Sequence, residues 1–154
     1  MLTNLQATMI DQFGTGKETS SHARQIVGKL FDKAHTRAVR NRLLAKMTGK
    51  KKELQILSHL PAAAHRTNRV ITVPISKIVG SESRSEDFDA EFYPLKQHNR
   101  ERWIGIAVAR RTGVILPSVE LVQDGNDYYI RDGHHRISVA KAMGQLDIEA
   151  HVAN

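Results

Sequence analysis

The chain has 154 residues, no cysteine and a formal net charge of +7 at pH 7. That length suits one ordinary domain with an extension, and the lack of cysteine excludes disulfides, thiolate metal ligands and a catalytic thiol. No apolar run approaches the roughly 18 residues of a membrane-spanning helix, and residues 1–6 lack the pattern of a secretory signal. We therefore expect a cytoplasmic protein with no membrane partner.

The positive charge is confined to the N-terminal half of the chain. Residues 1–69 carry 13 Lys/Arg and 4 Asp/Glu, whereas residues 70–154 carry 10 and 12, so that the halves have net charges of +9 and −2. This asymmetry predicts a polyanion or an acidic surface as a partner, with a solvated helix face as the alternative. We expect residues 1–69 to form a basic, mostly helical extension of a domain over 70–154.

Within the extension, apolar residues at helical spacing predict a helix from Ser20 or Ser21 to about Met47. A basic turn follows at Lys50, Lys51 and Lys52. Leu54, Leu57 and Leu60 then predict a shorter helix that stops at Pro61, and residues 62–68 are predicted to be a linker. The triple-lysine turn and the basic helix predict contact with nucleic-acid phosphates, but no interleaved aromatic residues indicate base-specific recognition.

Alternating helix and strand patterns follow from residue 69 onward. A strand is expected over 69–74, closed by Pro74, and a helix over 100–111, stopped by Gly113. Between them lies an acidic loop, residues 80–94, which is either a solvated flap or a source of Mg²⁺ ligands. Its carboxylates are Glu82, Glu86, Asp87, Asp89 and Glu91.

The C-terminal part is predicted to contain a hairpin, a helix and a last strand. The turn 124–127 joins strands at 118–122 and 128–130, a helix runs from about His134 to Gly144, and residues 148–152 form the final strand. The order of elements predicts an α+β domain with a small mixed sheet flanked by helices.

The run Asp132-Gly133-His134-His135-Arg136 joins a predicted strand to a predicted helix. Gly133 can adopt positive φ and so let an anion approach the backbone. The amides of the next three residues would then face a phosphate at the positive end of the helix dipole, with either imidazole and the guanidinium as further ligands. Asp132 would hold Mg²⁺, accept a hydroxyl proton or cap the helix. Alternatively, Arg136 would pair with a carboxylate such as Glu120 or Asp127.

Three segments in this order resemble the ParB/sulfiredoxin superfamily. They are Val73-Pro74-Ile75 with Ile78, the run from Gly113 to Val119, and Asp132 to Arg136 followed by Ala140 and Gly144. The resemblance implies a ParB/sulfiredoxin-like fold over 70–154. It also implies that Gly133, His134, His135 and Arg136 bind the phosphates of a nucleotide, which is ATP in sulfiredoxins and CTP in ParB proteins.

Departures from the family narrow its implications. His134 stands where sulfiredoxins have their catalytic cysteine, so peroxiredoxin repair is excluded. The DNA-binding helix-turn-helix that follows the box in ParB proteins is missing before Asn154. The letters of the box also resemble those of archaeal free-serine kinases, which implies a role for Asp132 with metal or a substrate hydroxyl.

The main hypothesis is thus a ParB-like nucleotide-binding domain that acts as a switch or a nucleotide hydrolase. It would bind ATP, ADP or CTP, with Mg²⁺ as the companion ion. A ParB-like DNA-binding protein or nuclease, anchored by Lys50, Lys51 and Lys52, is one alternative, and a serine-type small-molecule kinase is another. For the assembly of the chain, a homodimer is one hypothesis.

Overall fold

A computed structural model describes residues 20–49, 54–57, 66–83 and 86–153. It contains three α-helices and six strands in this part of the chain. The helices are α1 (Ser20–Thr48), α2 (Arg100–Arg111) and α3 (His134–Ala142). The strands are β1 (Gln55–Ile56), β2 (Arg66–Pro74), β3 (Ile78–Ser81), β4 (Val119–Asp124), β5 (Asp127–Asp132) and β6 (Asp147–Ala153).

The six strands form one mixed sheet in the order β1-β3-β5-β4-β6-β2. β3 runs parallel to β5, and β4 is antiparallel to β5 but parallel to β6. The ends of β3 and β5 therefore meet the starts of β4 and β6 at one edge of the sheet. Polar residues at these four positions, and the N-terminus of α3 after β5, are brought together by the topology rather than by closeness in sequence.

Two clusters of buried side chains hold the helices in place. One lies on the sheet and includes Ile130, Ile137 and Ala150. The other joins the three helices around Trp103, which is fully buried against Phe31 of α1. Each fully buried aliphatic or aromatic side chain contributes about 1.5–3 kcal/mol to folding, so that α1 is anchored through its first half to α2 and α3.

The α+β class with a small mixed sheet flanked by helices is confirmed. The predicted helices at 20–47 and 100–111, the hairpin, the helix that begins at His134 and the last strand are all present within a residue or two of their expected bounds. Gly113 follows α2 with φ of +81°, as a helix stop requires. The division into an extension (1–69) and a domain (70–154) stays a prediction.

Two predictions on either side of residue 60 are wrong. Leu54 and Leu57 flank strand β1 instead of lying on a helix, and they are buried beside the sheet. The predicted linker over 62–68 overlaps β2, which begins at Arg66. The predicted basic turn at Lys50 to Lys52 and the predicted helix end at Leu60 lie outside the described residues, as do residues 1–19 of the extension. Among the described helices, none is both long and apolar enough to cross a bilayer.

Candidate functional site

The site is built on the turn between β5 and α3. Gly133 has φ of +106° and is buried. A Cβ at this position would lie 2.6 Å from Val119 Cγ1 and 2.9 Å from Val119 Cβ, so no other residue fits without displacing β4. The first intrahelical bond runs from the Ile137 N–H to the Gly133 carbonyl at 3.0 Å. The amides of the three residues between them thus have no intrahelical acceptor, and the helix starts with free donors.

Arg136 binds the chain on both sides of this turn. Its Nη1 donates to the carbonyls of Pro117 and Ser118 at 2.6 and 3.0 Å, and its Nη2 donates to Asp132 Oδ2 at 2.5 Å. The side chain is only 15% exposed. A guanidinium has five N–H donors, so that Nε and one hydrogen of Nη2 are left for a ligand. Arg136 therefore fixes the loop before β4 against the helix start.

Asp132 is the partner of Arg136 and not the cap of α3. The capping residue is Gly133, with no side-chain hydrogen bond to the first turn. Arg136 pairs with this carboxylate four residues before it, rather than with the two carboxylates that the sequence offered as alternatives. The pair neutralises the charge of Asp132, which would otherwise repel an anion at the helix start.

His134 is held by a buried serine at the end of β3. Its Nε2 lies 2.8 Å from Ser81 Oγ, which also donates to the Ile130 carbonyl and accepts from the Ser83 N–H, each at 3.3 Å. A hydroxyl has one donor and two acceptor sites, so this arrangement is complete when His134 carries its proton on Nε2. Burial lowers the pKa of His134, against the opposing charge of Asp132. The imidazole is therefore neutral at pH 7.

His135 packs under an aromatic residue of the acidic loop. Its ring meets Phe88 edge-to-face at a centroid distance of 5.1 Å, and its Nε2 is buried without a hydrogen-bond partner. Burial first, and then the charge of Arg102, lower the pKa of His135 to about 4. The two histidines thus point to different surroundings, as expected for neighbours on a helix, and both are neutral.

The acidic loop is held by the protein itself. Each of its five carboxylates has a protein partner: Glu82 with Arg131, Glu86 and Asp87 with Lys96, Asp89 with Asn41 and two backbone amides, and Glu91 with Arg37. In the part of the chain that the structure describes, no group of three or more His, Asp or Glu side chains could hold a metal ion. These residues therefore do not fit a magnesium site made of protein ligands alone.

The basic face of α1 is only partly engaged. Arg24 pairs with Glu101 and Arg37 with Glu91, both on other elements. Several further basic residues of this helix are exposed: Lys29, Lys33, Arg40, Arg42 and Lys46. Lys50, Lys51 and Lys52, which were predicted to bind nucleic acid, lie outside the described residues.

Sequence reasoning missed four contributors to the site. Ser81 and Phe88 position the histidines, and the carbonyls of Pro117 and Ser118 bind Arg136. Ser81 had a usable signal, because the carboxyl ends of two parallel strands lie at the same edge of a sheet. The carbonyl contacts had none, since every residue carries a carbonyl.

The comparisons with known proteins give little beyond this geometry. No family model matches the chain, and no curated protein matches it. Among solved structures, the chain is similar to sulfiredoxin from Arabidopsis thaliana, with 14% identity and a TM-score of 0.41. The match covers 55% of this chain and 83% of that chain. Membership of the ParB/sulfiredoxin superfamily stays a prediction from the sequence motifs.

Proposed function

We propose that the protein binds the phosphates of a nucleoside di- or triphosphate at the start of α3. One observation carries the proposal. A glycine that packs too closely on Val119 for any other residue turns the chain into a helix N-terminus, where three amides have no intrahelical acceptor. Such a helix end attracts anions through its free N–H groups and its dipole.

The charges around the turn support an anion there. Arg136 neutralises Asp132, so the partial positive charge of the helix end is not cancelled by this carboxylate. Both histidines are neutral, and the ring of His134 is fixed by Ser81. The rigid surroundings lower the entropic cost of binding, because few side chains need to be ordered.

The nucleotide itself is inferred from the resemblance of the box to nucleotide-binding members of the superfamily. ATP, ADP and CTP are the candidates, and Mg²⁺ would arrive with the nucleotide rather than reside in the protein. The test is calorimetric titration of pyrophosphate and the three nucleotides, with and without Mg²⁺. Nuclear magnetic resonance (NMR) should show shifted amides at residues 134–136.

A glycine pair provides a matched control for this test. Gly133→Ala should weaken pyrophosphate binding at least tenfold, because the added methyl displaces the turn. Gly144→Ala, at the other end of α3, changes a glycine that also has positive φ but has open space around it, and should leave affinity unchanged. No binding of any phosphate compound at millimolar concentration, or equal affinity in both variants, would contradict the proposal.

Turnover decides between a binding module and an enzyme. ATP hydrolysis or phosphate transfer to a small alcohol such as serine, dependent on Mg²⁺ and lost in Asp132→Asn, would favour an enzyme. Tight binding without turnover would favour a switch. Asp132→Asn is informative in either case, because removal of the carboxylate leaves the charge of Arg136 without a counter-ion and should strengthen metal-free binding.

The exposed basic face of α1 favours DNA binding as a second candidate function. Affinity for duplex DNA should then fall steeply with salt, and the slope of log K against log salt should decrease by about 3 when Lys50, Lys51 and Lys52 are changed to Gln. Lys77→Gln, an exposed lysine outside α1, is the control. A chain that does not bind DNA at low salt lacks this function.

A further inference from the structure

A cavity lies beside the α3 site, at the same edge of the sheet. It has a volume of about 340 Å³. It is lined by the loop 114–118, by Arg110 and Arg136, and by residues at the start of β6 and near the end of β2. Arg136 and the Pro117–Ser118 carbonyls thus belong both to the α3 turn and to the wall of this cavity. Nothing in the proposed function uses the cavity.

Arg110 is the unusual residue of this cavity. It is half-buried, and its Nε is completely buried without a hydrogen-bond partner. Burial lowers the pKa of Arg110, and no carboxylate of the described residues offsets that effect, although Asp147 and Glu149 also line the cavity. An N–H buried without a partner is costly, and Arg110 lines the cavity, so that an oxyanion bound there would give this cation an acceptor.

Arg110 does not serve the end of its own helix. An arginine in the last turn often binds free carbonyls there, but these carbonyls already have partners. The Val108 and Arg110 carbonyls accept from the backbone N–H groups of Thr112 and Gly113, and the Ala109 carbonyl accepts from Val114. Its cation is therefore left for the cavity.

The remaining walls describe the body of a ligand. Val114 and Ile115 line the cavity with 55% and 94% of their surface exposed. Leu146, which lies between the lining residues Gln145 and Asp147, is 80% exposed. Exposed apolar side chains around a cavity that is also lined by a half-buried arginine favour a molecule with both an oxyanion and an apolar body.

We propose that this cavity binds a small molecule in which a carboxylate or phosphoryl group, held by Arg110, is attached to an apolar body. The oxyanion is either part of the nucleotide bound at α3 or part of a separate compound, and the experiment distinguishes the two. Phenyl phosphate and benzoate serve as probes, with inorganic phosphate as the anion that lacks an apolar body.

NMR titration of the labelled protein separates the two sites, because the amides of Val114, Ile115, Leu116 and Ser118 report the cavity and those of 134–136 report the α3 turn. Phenyl phosphate should shift the cavity amides and bind there about tenfold more tightly than inorganic phosphate. Arg110→Met keeps an unbranched apolar stem and should weaken this binding at least tenfold, whereas Arg40→Met, on the exposed face of α1, should not.

A second pair of variants protects the test against misfolding. Thr72 is exposed on β2 and lines the cavity, while Val70 is exposed on the same strand two residues earlier and does not. Thr72→Trp should fill the cavity and abolish probe binding, and Val70→Trp should leave it intact. Two results would overturn the proposal. One is that none of the three probes shifts the cavity amides at about 10 mM, a concentration at which even very weak binding would be detected. The other is undiminished binding in Arg110→Met.

ADP identifies the source of the oxyanion. If one equivalent shifts both sets of amides and displaces phenyl phosphate from the cavity, the cavity holds part of the nucleotide. If ADP shifts only 134–136 while phenyl phosphate still shifts 114–118, the ligand is a separate compound. Shifts confined to 114–118 with every probe would refute the proposed function but support the cavity.

Discussion

Gly133→Ala is the substitution whose cost the structure defines best. Two costs add at this position. A side chain at φ of +106° costs about 1–2 kcal/mol, because L-residues avoid positive φ. The new Cβ would also lie 2.6 Å from Val119 Cγ1, and such overpacking in a buried site costs about 1–3 kcal/mol. We therefore expect a loss of about 2–5 kcal/mol in the free energy of unfolding.

The matched control separates these costs. Gly144 has φ of +77° and nothing within 4 Å of an added Cβ, so Gly144→Ala should lose only the backbone part, about 1–2 kcal/mol. The measurement is urea unfolding followed by fluorescence of the single tryptophan, Trp103, which is fully buried between α1 and α3. Equal losses in the two variants would refute the claim that contact with β4 restricts residue 133 to glycine.

A double-mutant cycle with Val119→Ala tests the contact directly. The smaller residue removes the 2.6 Å approach but keeps the Cβ that would lie 2.9 Å away. Relief should therefore be partial, and the double variant should be about 1 kcal/mol more stable than the sum of the single losses predicts. An additive result would show that the approach to Val119 Cγ1 contributes nothing to the cost of Gly133→Ala.

Three further predictions concern buried polar groups. The pKa of His135 is lowered from 6.5 to about 4, so the folded state should lose stability as the pH falls from 6.5 to 4. Because the ring is half-buried and partly screened by solvent, we expect a loss of about 1–2 kcal/mol. His135→Phe should flatten this part of the plot of urea midpoint against pH. Burial raises the pKa of Asp89 in the folded state, so its contribution to the free energy of unfolding is largest below pH 3.8 and falls as the pH rises through that raised pKa. Asp89→Asn should remove this fall from the same pH profile. An unchanged profile would contradict the prediction. The Trp103 Nε1–H donates to Ser138 Oγ at 2.9 Å in the core. Ser138→Ala leaves this N–H without an acceptor and should lower the free energy of unfolding by about 1–3 kcal/mol. Ser76→Ala, at an exposed position, should have no effect in the same unfolding assay.

Local patterns predicted the elements whose signals are local. The turn at 124–127 and the strand-glycine-helix order at 132–136 depend on adjacent residues, and both were predicted correctly. Residues 54–57 show the opposite case. Their leucine spacing fits a helix, yet Gln55 pairs with Gly80 in β3, and a Cβ on Gly80 would lie 2.3 Å from the Gln55 carbonyl oxygen. Strand β1 therefore forms because a distant glycine leaves room for it, which no local pattern reveals.

The chemistry of the acidic loop was hidden for the same reason. Its carboxylates are close in sequence and resemble a metal-binding flap, but their partners lie on α1, β5 and the segment before α2. Asp89 is the clearest example, since its buried carboxylate accepts hydrogen bonds from the backbone amides of Glu91 and Tyr93 and from the side chain of Asn41. The sequence shows the charges, whereas only the tertiary structure shows that the protein itself satisfies them.

The contacts of Arg136 make the two proposed sites interdependent. The guanidinium binds Asp132 beside the α3 turn and the carbonyls of Pro117 and Ser118 in the cavity wall, so a ligand that shifts this side chain acts on both. A loss of nucleotide affinity in Arg136→Ala would therefore not by itself show that the guanidinium contacts phosphate. Coupling is the sharper measurement, because thermodynamic linkage requires each ligand to change the affinity of the other by the same factor.

We expect saturating phenyl phosphate in the cavity to change the dissociation constant of pyrophosphate at α3 by about fivefold or more, the lower end of typical coupling. Pyrophosphate should change that of phenyl phosphate equally. Arg136→Lys keeps the charge but cannot span three acceptors, so it should reduce the factor towards one while both ligands still bind. Independent binding in the wild-type chain would show that Arg136 holds the two sites rigidly and transmits nothing between them.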